Sequence, residues 1–179
     1  LIKNFISFAP KGFKNFKKSI GSFLDWKMDI PGYIKKNLNY KNTVSFIDHH
    51  LSHASSAFFP SPYKEAAILT IDGVGEWTTA SISIGKDNKI KMLKELKYPH
   101  SLGLLYSAFT YYAGFKVNFG EYKLMGLAPY GEAKYVDTIK DNLIQIKEDG
   151  SFQLDMTYFD FATGDKMIND KFNSLFGGP

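Results

Sequence analysis

Cysteine and arginine are both absent from this chain of 179 residues, and each absence limits the chemistry available to it. Without cysteine there can be no disulfide framework and no thiolate metal site, which fits a reducing compartment, and we expect a cytoplasmic protein. Arginine is the usual residue for bidentate recognition of phosphate and guanine, so its absence argues against a nucleic-acid partner. No apolar run approaches the roughly 20 residues of a membrane span, and no membrane partner is expected.

The basic charge of the chain is concentrated near the start of the sequence. Residues 1–42 contain nine lysines and two aspartates, interleaved with five phenylalanines and interrupted by Pro10–Gly12 and Pro31–Gly32. This pattern is typical of amphipathic helices with phenylalanine inward and lysine outward, and binding to nucleic acid or to a membrane is the alternative. We therefore predict a helical segment over residues 1–42 and a larger domain over residues 43–179.

The apolar pattern of the larger domain predicts an α/β fold. Buried or alternating strands are predicted at residues 43–47, 66–72, 78–85 and 89–98. Helices are predicted from His49 to Phe59 behind an Asp48 N-cap, from Ser101 to a cap at Gly114, within residues 120–131, and over residues 132–150.

Three of the four histidines of the chain lie within five positions, in the stretch "HHLSH". His49 and His53 are four residues apart, so on a helix they share one face and both imidazoles can reach one ion. His50 points about 100° away and is not a third ligand by this geometry, so it either contacts substrate or packs. A zinc protease is disfavoured, because no glutamate follows His49 as the general base. Capping and packing roles for the two histidines are the alternative to a metal site.

Asp72 is the third candidate metal ligand. It ends the apolar strand "AAILTID", and Gly73 and Gly75 follow it in "DGVGE". Ligand sites form at the carboxyl ends of buried strands in open α/β sheets, and glycines there let backbone N–H groups approach phosphate oxygens. Taken alone, "DGVGE" is equally typical of a tight turn. Together with His49 and His53, Asp72 completes a plausible set of ligands for zinc, iron or manganese.

Another glycine-rich stretch surrounds Lys123, in "GEYKLMGLAPYG". A lysine in such a loop can act as a point-charge partner for a phosphate or carbamoyl group. A solvated surface lysine among structural glycines is the alternative, and the sequence does not assign Lys123 a role.

Three stretches in this order, "HHLSHASSAFFPSPYKEAAILTIDGVGEWTT", "SLGLLYSAFTYYAGF" and "GEYKLMGLAPYG", resemble the amino-terminal domain of the O-carbamoyltransferases of nodulation factors and antibiotics. The resemblance implies a partial actin-like, sugar-kinase-like ATPase fold (ribonuclease H-like), with a mixed sheet and flanking helices. It also implies that His49, His53 and Asp72 hold a divalent metal, iron first, with zinc or manganese as alternatives. Asp72, Gly73, Gly75 and Gly103 would lie beside the bound adenylate.

The implied reaction has two stages. Carbamoyl phosphate and ATP give carbamoyl-adenylate in a carboxy-terminal domain, and the present domain passes the carbamoyl group to the hydroxyl of a small-molecule acceptor. The chain lacks that second domain, the first strands of the fold and a later metal aspartate, so we expect a fragment that is inactive alone. The alternatives are metal-dependent threonylcarbamoyl transfer to transfer RNA, carbamoyl transfer in hydrogenase maturation, and a binding module of the same fold without turnover.

Overall fold

A computed structural model describes residues 1–178, which form two compact units. The first unit contains Leu1–Phe46 and Asp160–Lys166, and the second contains Ile47–Phe159 together with residues 167–178. Every residue proposed from the sequence as a metal ligand or adenylate contact lies in the second unit.

The first unit is helical, as residues 1–42 predict. Its elements are α1 (Ile2–Phe8), α2 (Phe13–Ser22), a π-helical turn (Phe23–Lys27) and α3 (Ile30–Leu38). Phe5 packs against two other phenylalanines, with the ring of Phe16 at a centroid distance of 4.6 Å and that of Phe13 at 5.9 Å. The inward placement predicted for the phenylalanines is wrong for Phe13, which is 58% exposed.

The predicted interruption at Pro31–Gly32 is wrong, because both residues belong to the first turn of α3. Asp29 precedes this helix, and its carboxylate accepts a hydrogen bond of 2.9 Å from the Gly32 N–H. A proline fits the first turn of a helix, since its missing N–H would have no intrahelical partner there.

The second unit combines helices with two small antiparallel sheets. Its helices are α4 (His49–Phe58), α5 (Leu102–Tyr112), α6 (Glu121–Leu127), followed by a 3₁₀ turn (Ala128–Tyr130), α7 (Val136–Asn142) and α8 (Asp170–Leu175). Its strands are β1 (Glu65–Gly75), β2 (Thr78–Lys86), β3 (Lys89–Lys97), β4 (Ile144–Ile146) and β5 (Phe152–Leu154).

The larger sheet has the strand order β1-β2-β3, and α4 packs on one of its faces. Ala54 and Phe58 of α4 meet Ile68 of β1 in a small apolar core. The antiparallel pairing of β1 with β2 keeps one register from Glu65 to Ile71. The register shifts after Ile71, and pairing resumes at Gly75. This irregularity lies next to Asp72, and such bulges redirect side chains at the ends of sheets.

The strand predicted at residues 43–47 is wrong, since this segment is irregular in the structure. Its composition is β-prone, but Phe46 and Ile47 are both exposed. Among residues 1–178, no strand pairs with the segment, and a strand gains its hydrogen bonds only from a partner.

The helix predicted over residues 132–150 is also largely wrong. Only α7 forms within it, and β4 and β5 follow as a hairpin that pairs Ile144 with Leu154. Gly150 lies in the connecting turn with a φ of 79°, a left-handed conformation that glycine adopts without strain. The turn signal "EDGS" and the β-branched Ile144 and Ile146 therefore outweigh the helical periodicity.

The structure thus confirms a fold that mixes α-helices and β-strands. The described strands pair only in antiparallel fashion, so the actin-like topology with its mixed sheet stays a prediction. Within residues 1–178, no helix has both the length and the apolar character needed to cross a bilayer.

Candidate metal centre

Helix α4 begins at His49, and its first two turns carry the histidine pair. Asp48 occupies the N-cap position as predicted, although its side chain makes no capping hydrogen bond. His49 and His53 lie on one face of the helix, with ring centroids 4.6 Å apart, and both side chains are about half exposed. The i, i+4 spacing therefore places both imidazoles at one surface, as the sequence predicts.

Asp72 of β1 faces this pair. The His49 Nε2 atom lies 2.7 Å from Asp72 Oδ2, and the His53 Nε2 atom lies 3.6 Å from the same oxygen. The two Nε2 atoms are 2.9 Å apart. The structure thus brings together the three side chains that the sequence selects as metal ligands.

The environment of Asp72 favours its ionised form. Partial burial by itself would raise the pKa of this carboxyl group, but the surrounding groups lower the pKa below its ordinary value. These groups are the Gly73 N–H, which donates to Asp72 Oδ1 at 2.6 Å, and the two histidines. A carboxylate that is ionised at neutral pH is the form that binds a cation.

The three donor atoms lie close enough together to ligate one ion. Ligands at 2.0–2.2 Å from a tetrahedral ion are about 3.4 Å apart. One separation in this structure, 3.6 Å, is near that value, and the other two, 2.7 and 2.9 Å, are shorter and would lengthen around an ion. Hydrogen bonds account for the cluster less well, because one hydrogen on His49 Nε2 cannot serve both Asp72 Oδ2 and His53 Nε2 at full strength. Two imidazoles and one carboxylate also leave a coordination position open for water or substrate.

Gly75 makes room for the histidines. A Cβ atom at this position would lie 2.7 Å from the Cγ atom of His49, nearer still to Cδ2, and 3.0 Å from Cδ2 of His50. The resemblance places Gly75 beside the adenylate, which stays a prediction, and the structure shows that its missing side chain leaves room for two imidazole rings.

Gly103 and Gly73 differ in what surrounds them. A Cβ atom on Gly103 would lie 2.6 Å from both the carbonyl oxygen of Asp72 and the nitrogen of Gly73, so α5 approaches the backbone of β1 closely here. A Cβ atom on Gly73 would meet only Leu104 Cδ2, at 4.0 Å. Adenylate contacts by these glycines stay a prediction, and Gly73 has the space for one.

Ser101 connects the start of α5 to this region. Its buried hydroxyl accepts a hydrogen bond from the Leu104 N–H at 3.0 Å, which caps the helix. The single hydrogen of the same hydroxyl is shared between two carbonyl oxygens, that of Gly73 at 2.6 Å and, more weakly, that of Asp72 at 3.1 Å. The cap residue of α5 therefore also fixes the backbone on which Asp72 is carried.

His50 is buried and takes no place among the candidate ligands. Its Nδ1 atom lies 2.7 Å from Thr70 Oγ1 and 3.3 Å from Ser81 Oγ. Burial lowers the pKa of His50, and the opposing effects of the Asp72 charge and the Thr78 backbone do not cancel it. The burial of His50 is what the packing role predicts, and contact with a substrate stays a prediction. The partners Thr70 and Ser81 give no signal in the sequence, because nothing in it pairs them with position 50.

Lys123 lies on α6, where its ammonium group stands 5.4 Å from the centroid of the Phe119 ring. This contact is typical of a surface lysine.

Comparison with known proteins relates the whole chain to one family. The family model described as "Carbamoyltransferase N-terminus" matches residues 1–179. The chain is 52% identical to the uncharacterised protein sll1178 of Synechocystis, over 100% of the chain and 30% of that protein. It is 34% identical to nodulation protein NolNO of Sinorhizobium fredii, over 73% of the chain and 20% of that protein. It is 32% identical to nodulation protein NolO of Bradyrhizobium diazoefficiens, over 60% of the chain and 20% of that protein. The chain thus spans less than a third of the length of these relatives.

Proposed function

The chain belongs to the carbamoyltransferase family, whose amino-terminal domain it matches from end to end, and we propose that it supplies the carbamoyl-transfer site of such an enzyme. The observation that carries this proposal is the convergence of His49, His53 and Asp72 at one partly exposed surface. A carbamoyltransferase needs a place where a polar carbonyl group and a phosphate are held together, and this cluster offers one.

We propose that His49, His53 and Asp72 hold a divalent ion, with iron as the first expectation and zinc or manganese as alternatives. When bound, the ion would supply Lewis-acid polarisation of the carbamoyl carbonyl and charge neutralisation for phosphate oxygens. The ionised Asp72 contributes the negative charge of the set, and the imidazoles contribute neutral nitrogen ligands.

The backbone beside the cluster supports binding of the adenylate. Gly73 directly follows Asp72 and has open space where a side chain would be. The amino end of α5, at Gly103, lies against the same backbone, and the positive end of a helix dipole favours an anionic group. The proposed phosphate position therefore lies beside Gly73 and the first turn of α5. An actin-like fold for the complete domain is part of the same proposal.

The proposed donor is carbamoyl-adenylate, made from carbamoyl phosphate and ATP in a carboxy-terminal domain. In the transfer step the hydroxyl oxygen of a small-molecule acceptor bonds to the carbamoyl carbon. The bond from that carbon to the phosphate oxygen breaks, AMP leaves with the electron pair, and the hydroxyl proton is released. The role of the present chain is to hold the carbamoyl and phosphate groups during this exchange.

The two stages can be separated experimentally in the full-length protein. We expect Asp72→Asn to lower the rate of carbamoyl transfer to the acceptor at least 100-fold. Carbamoyl phosphate-dependent release of pyrophosphate from ATP should continue. Glu76→Gln is a matched control, because it makes the same change of charge at an exposed position four residues away. Transfer by Asp72→Asn at the wild-type rate would contradict the proposal.

A further inference from the structure

The buried face of α4 contains a histidine where an apolar residue is expected. His50, Ala54 and Phe58 are the buried residues of this helix, and their four-residue spacing forms one stripe against the sheet. Ala54 and Phe58 meet apolar neighbours around Ile68. His50, only 2% exposed, instead meets two buried hydroxyl groups.

These hydroxyl groups belong to paired residues on adjacent strands. Thr70 of β1 lies opposite Ser81 of β2, and their side-chain oxygens are 2.6 Å apart. With its Nδ1 atom 2.7 Å from Thr70 and 3.3 Å from Ser81, His50 closes a three-membered polar cluster. This cluster joins the helix to both strands.

The cluster also relates the helix to the candidate ligands. Thr70 and Asp72 are only two residues apart on β1, with Asp72 in the irregular stretch between Ile71 and Gly75. His50 directly follows His49 on α4. His50 thus holds the helix over Thr70. The adjacent residue, His49, places its Nε2 atom 2.7 Å from Asp72 Oδ2.

We infer that His50 is a positioning residue, which sets the rotation and register of α4 on β1 so that His49 and His53 converge on Asp72. The consequence of this inference, correct placement of the metal ligands, rests on the metal site of the proposed function. The contacts of His50 with Thr70 and Ser81 do not themselves depend on a metal. At the other end of the helix, Phe58 packs against Gly85, where a Cβ atom would lie 2.7 Å from the phenylalanine ring. That apolar contact holds the far end of the helix, whereas the polar cluster lies one residue from His49.

Three variants of the full-length protein separate this role from general stability. His50→Leu fills the space but removes the polar contact, while His50→Asn places an amide atom near the position of Nδ1. Phe58→Leu disturbs the packing of the same helix at its far end and is the matched control. Each protein is titrated with Co²⁺, and binding is monitored by the visible absorption of the bound ion. In a separate experiment without metal, hydrogen exchange of the amides of residues 52–55 is measured.

We expect His50→Leu to bind Co²⁺ at least tenfold more weakly with an altered spectrum, as removal of a residue that orients ligands does. His50→Asn should stay within about threefold of the wild type, and Phe58→Leu should bind normally even if it unfolds at a lower temperature. Amides 52–55 should exchange faster in His50→Leu than in His50→Asn.

Several results would overturn the inference. One is amide exchange of residues 52–55 in His50→Leu at the wild-type rate. Another is Co²⁺ binding by His50→Asn that is as weak as binding by His50→Leu. The third is a loss of Co²⁺ affinity in Phe58→Leu equal to that in His50→Leu. Failure of the wild type to bind Co²⁺ would instead contradict the metal site and would remove the consequence of the positioning role. In that case the exchange of residues 52–55 still decides whether His50 orients the helix.

Discussion

His49, His53 and Asp72 have half-exposed or partly buried side chains, and their positions depend on the small residues around them. Gly75 is the clearest example, since the space of its missing side chain is occupied by the rings of His49 and His50. At the scale of single residues, the geometry of the site is therefore set as much by an absent side chain as by the ligands.

Substitution of Gly75 tests this dependence. The φ of Gly75 lies outside the left-handed region, so alanine is allowed by the backbone there, yet its Cβ would collide with His49. We expect Gly75→Ala to displace the His49 ring and to weaken Co²⁺ binding by at least tenfold, measured by spectroscopic titration.

Gly73→Ala is the control for that experiment. Its new Cβ would contact only Leu104, at an ordinary distance of 4.0 Å, and Co²⁺ affinity should stay within about threefold of the wild type. Equal effects of the two substitutions would show that the close contact between Gly75 and His49 is unimportant.

Among the secondary-structure elements, α5 combines a capping role with support of the site. Ser101 is fully buried, caps α5 through the Leu104 N–H, and donates to the carbonyl oxygens beside Asp72. We expect Ser101→Ala to lower the free energy of unfolding by about 1–2 kcal/mol, because it removes an N-cap and leaves buried groups without a partner. Urea denaturation measures this change.

Ser52→Ala, at an exposed position of α4, is the comparison for Ser101→Ala. It should change the free energy of unfolding by less than about 0.5 kcal/mol. A loss of similar size in both variants would mean that the contacts of Ser101 contribute nothing specific.

The elements also show which parts of the fold the sequence can predict. Helix α4, the three strands β1 to β3 and the helix that starts near Ser101 follow from local periodicity and capping residues, and the structure confirms them within a few residues. Gly114 follows α5 with a φ of 80°, which confirms its predicted capping role. The strand predicted at residues 43–47 fails because pairing is not a local property, and the helix over 132–150 fails because a hairpin turn interrupts it.

The candidate site divides in the same way. The helical spacing of His49 and His53 and the position of Asp72 after a strand are readable from the sequence, and the structure brings all three together. The place of His50 is not readable, because it depends on residues 20 and 31 positions away in the chain. Metal binding itself stays a prediction.

At the scale of the whole molecule, stability should depend on pH through His100, a partly buried histidine. His100 lies between two parts of the second unit, where its Nδ1 atom accepts a hydrogen bond of 3.1 Å from the Leu154 N–H. Burial, together with the charge of Lys147, lowers the pKa of His100 below its ordinary value of 6.5. The folded state therefore favours the neutral ring.

The sign of the effect follows from the lowered pKa. Above about pH 6.5 His100 is neutral in both the folded and the unfolded state, and its contribution to stability is complete. Below that pH the unfolded state binds a proton that the folded state binds less readily, so the free energy of unfolding falls. We expect His100→Asn to lose less stability than the wild type between pH 7 and pH 5, measured by urea denaturation. An identical loss in both proteins would contradict a neutral, partly buried His100.

The central claim is that His49, His53 and Asp72 hold a divalent metal, and the metal content of the purified full-length protein tests it most directly. We predict about one equivalent of a divalent ion in the wild type. The double variant His49→Ala, His53→Ala, analysed by mass spectrometry of the elements after the same purification, should lose that ion while keeping its helical circular-dichroism signal. Unchanged metal content in the double variant would contradict the claim.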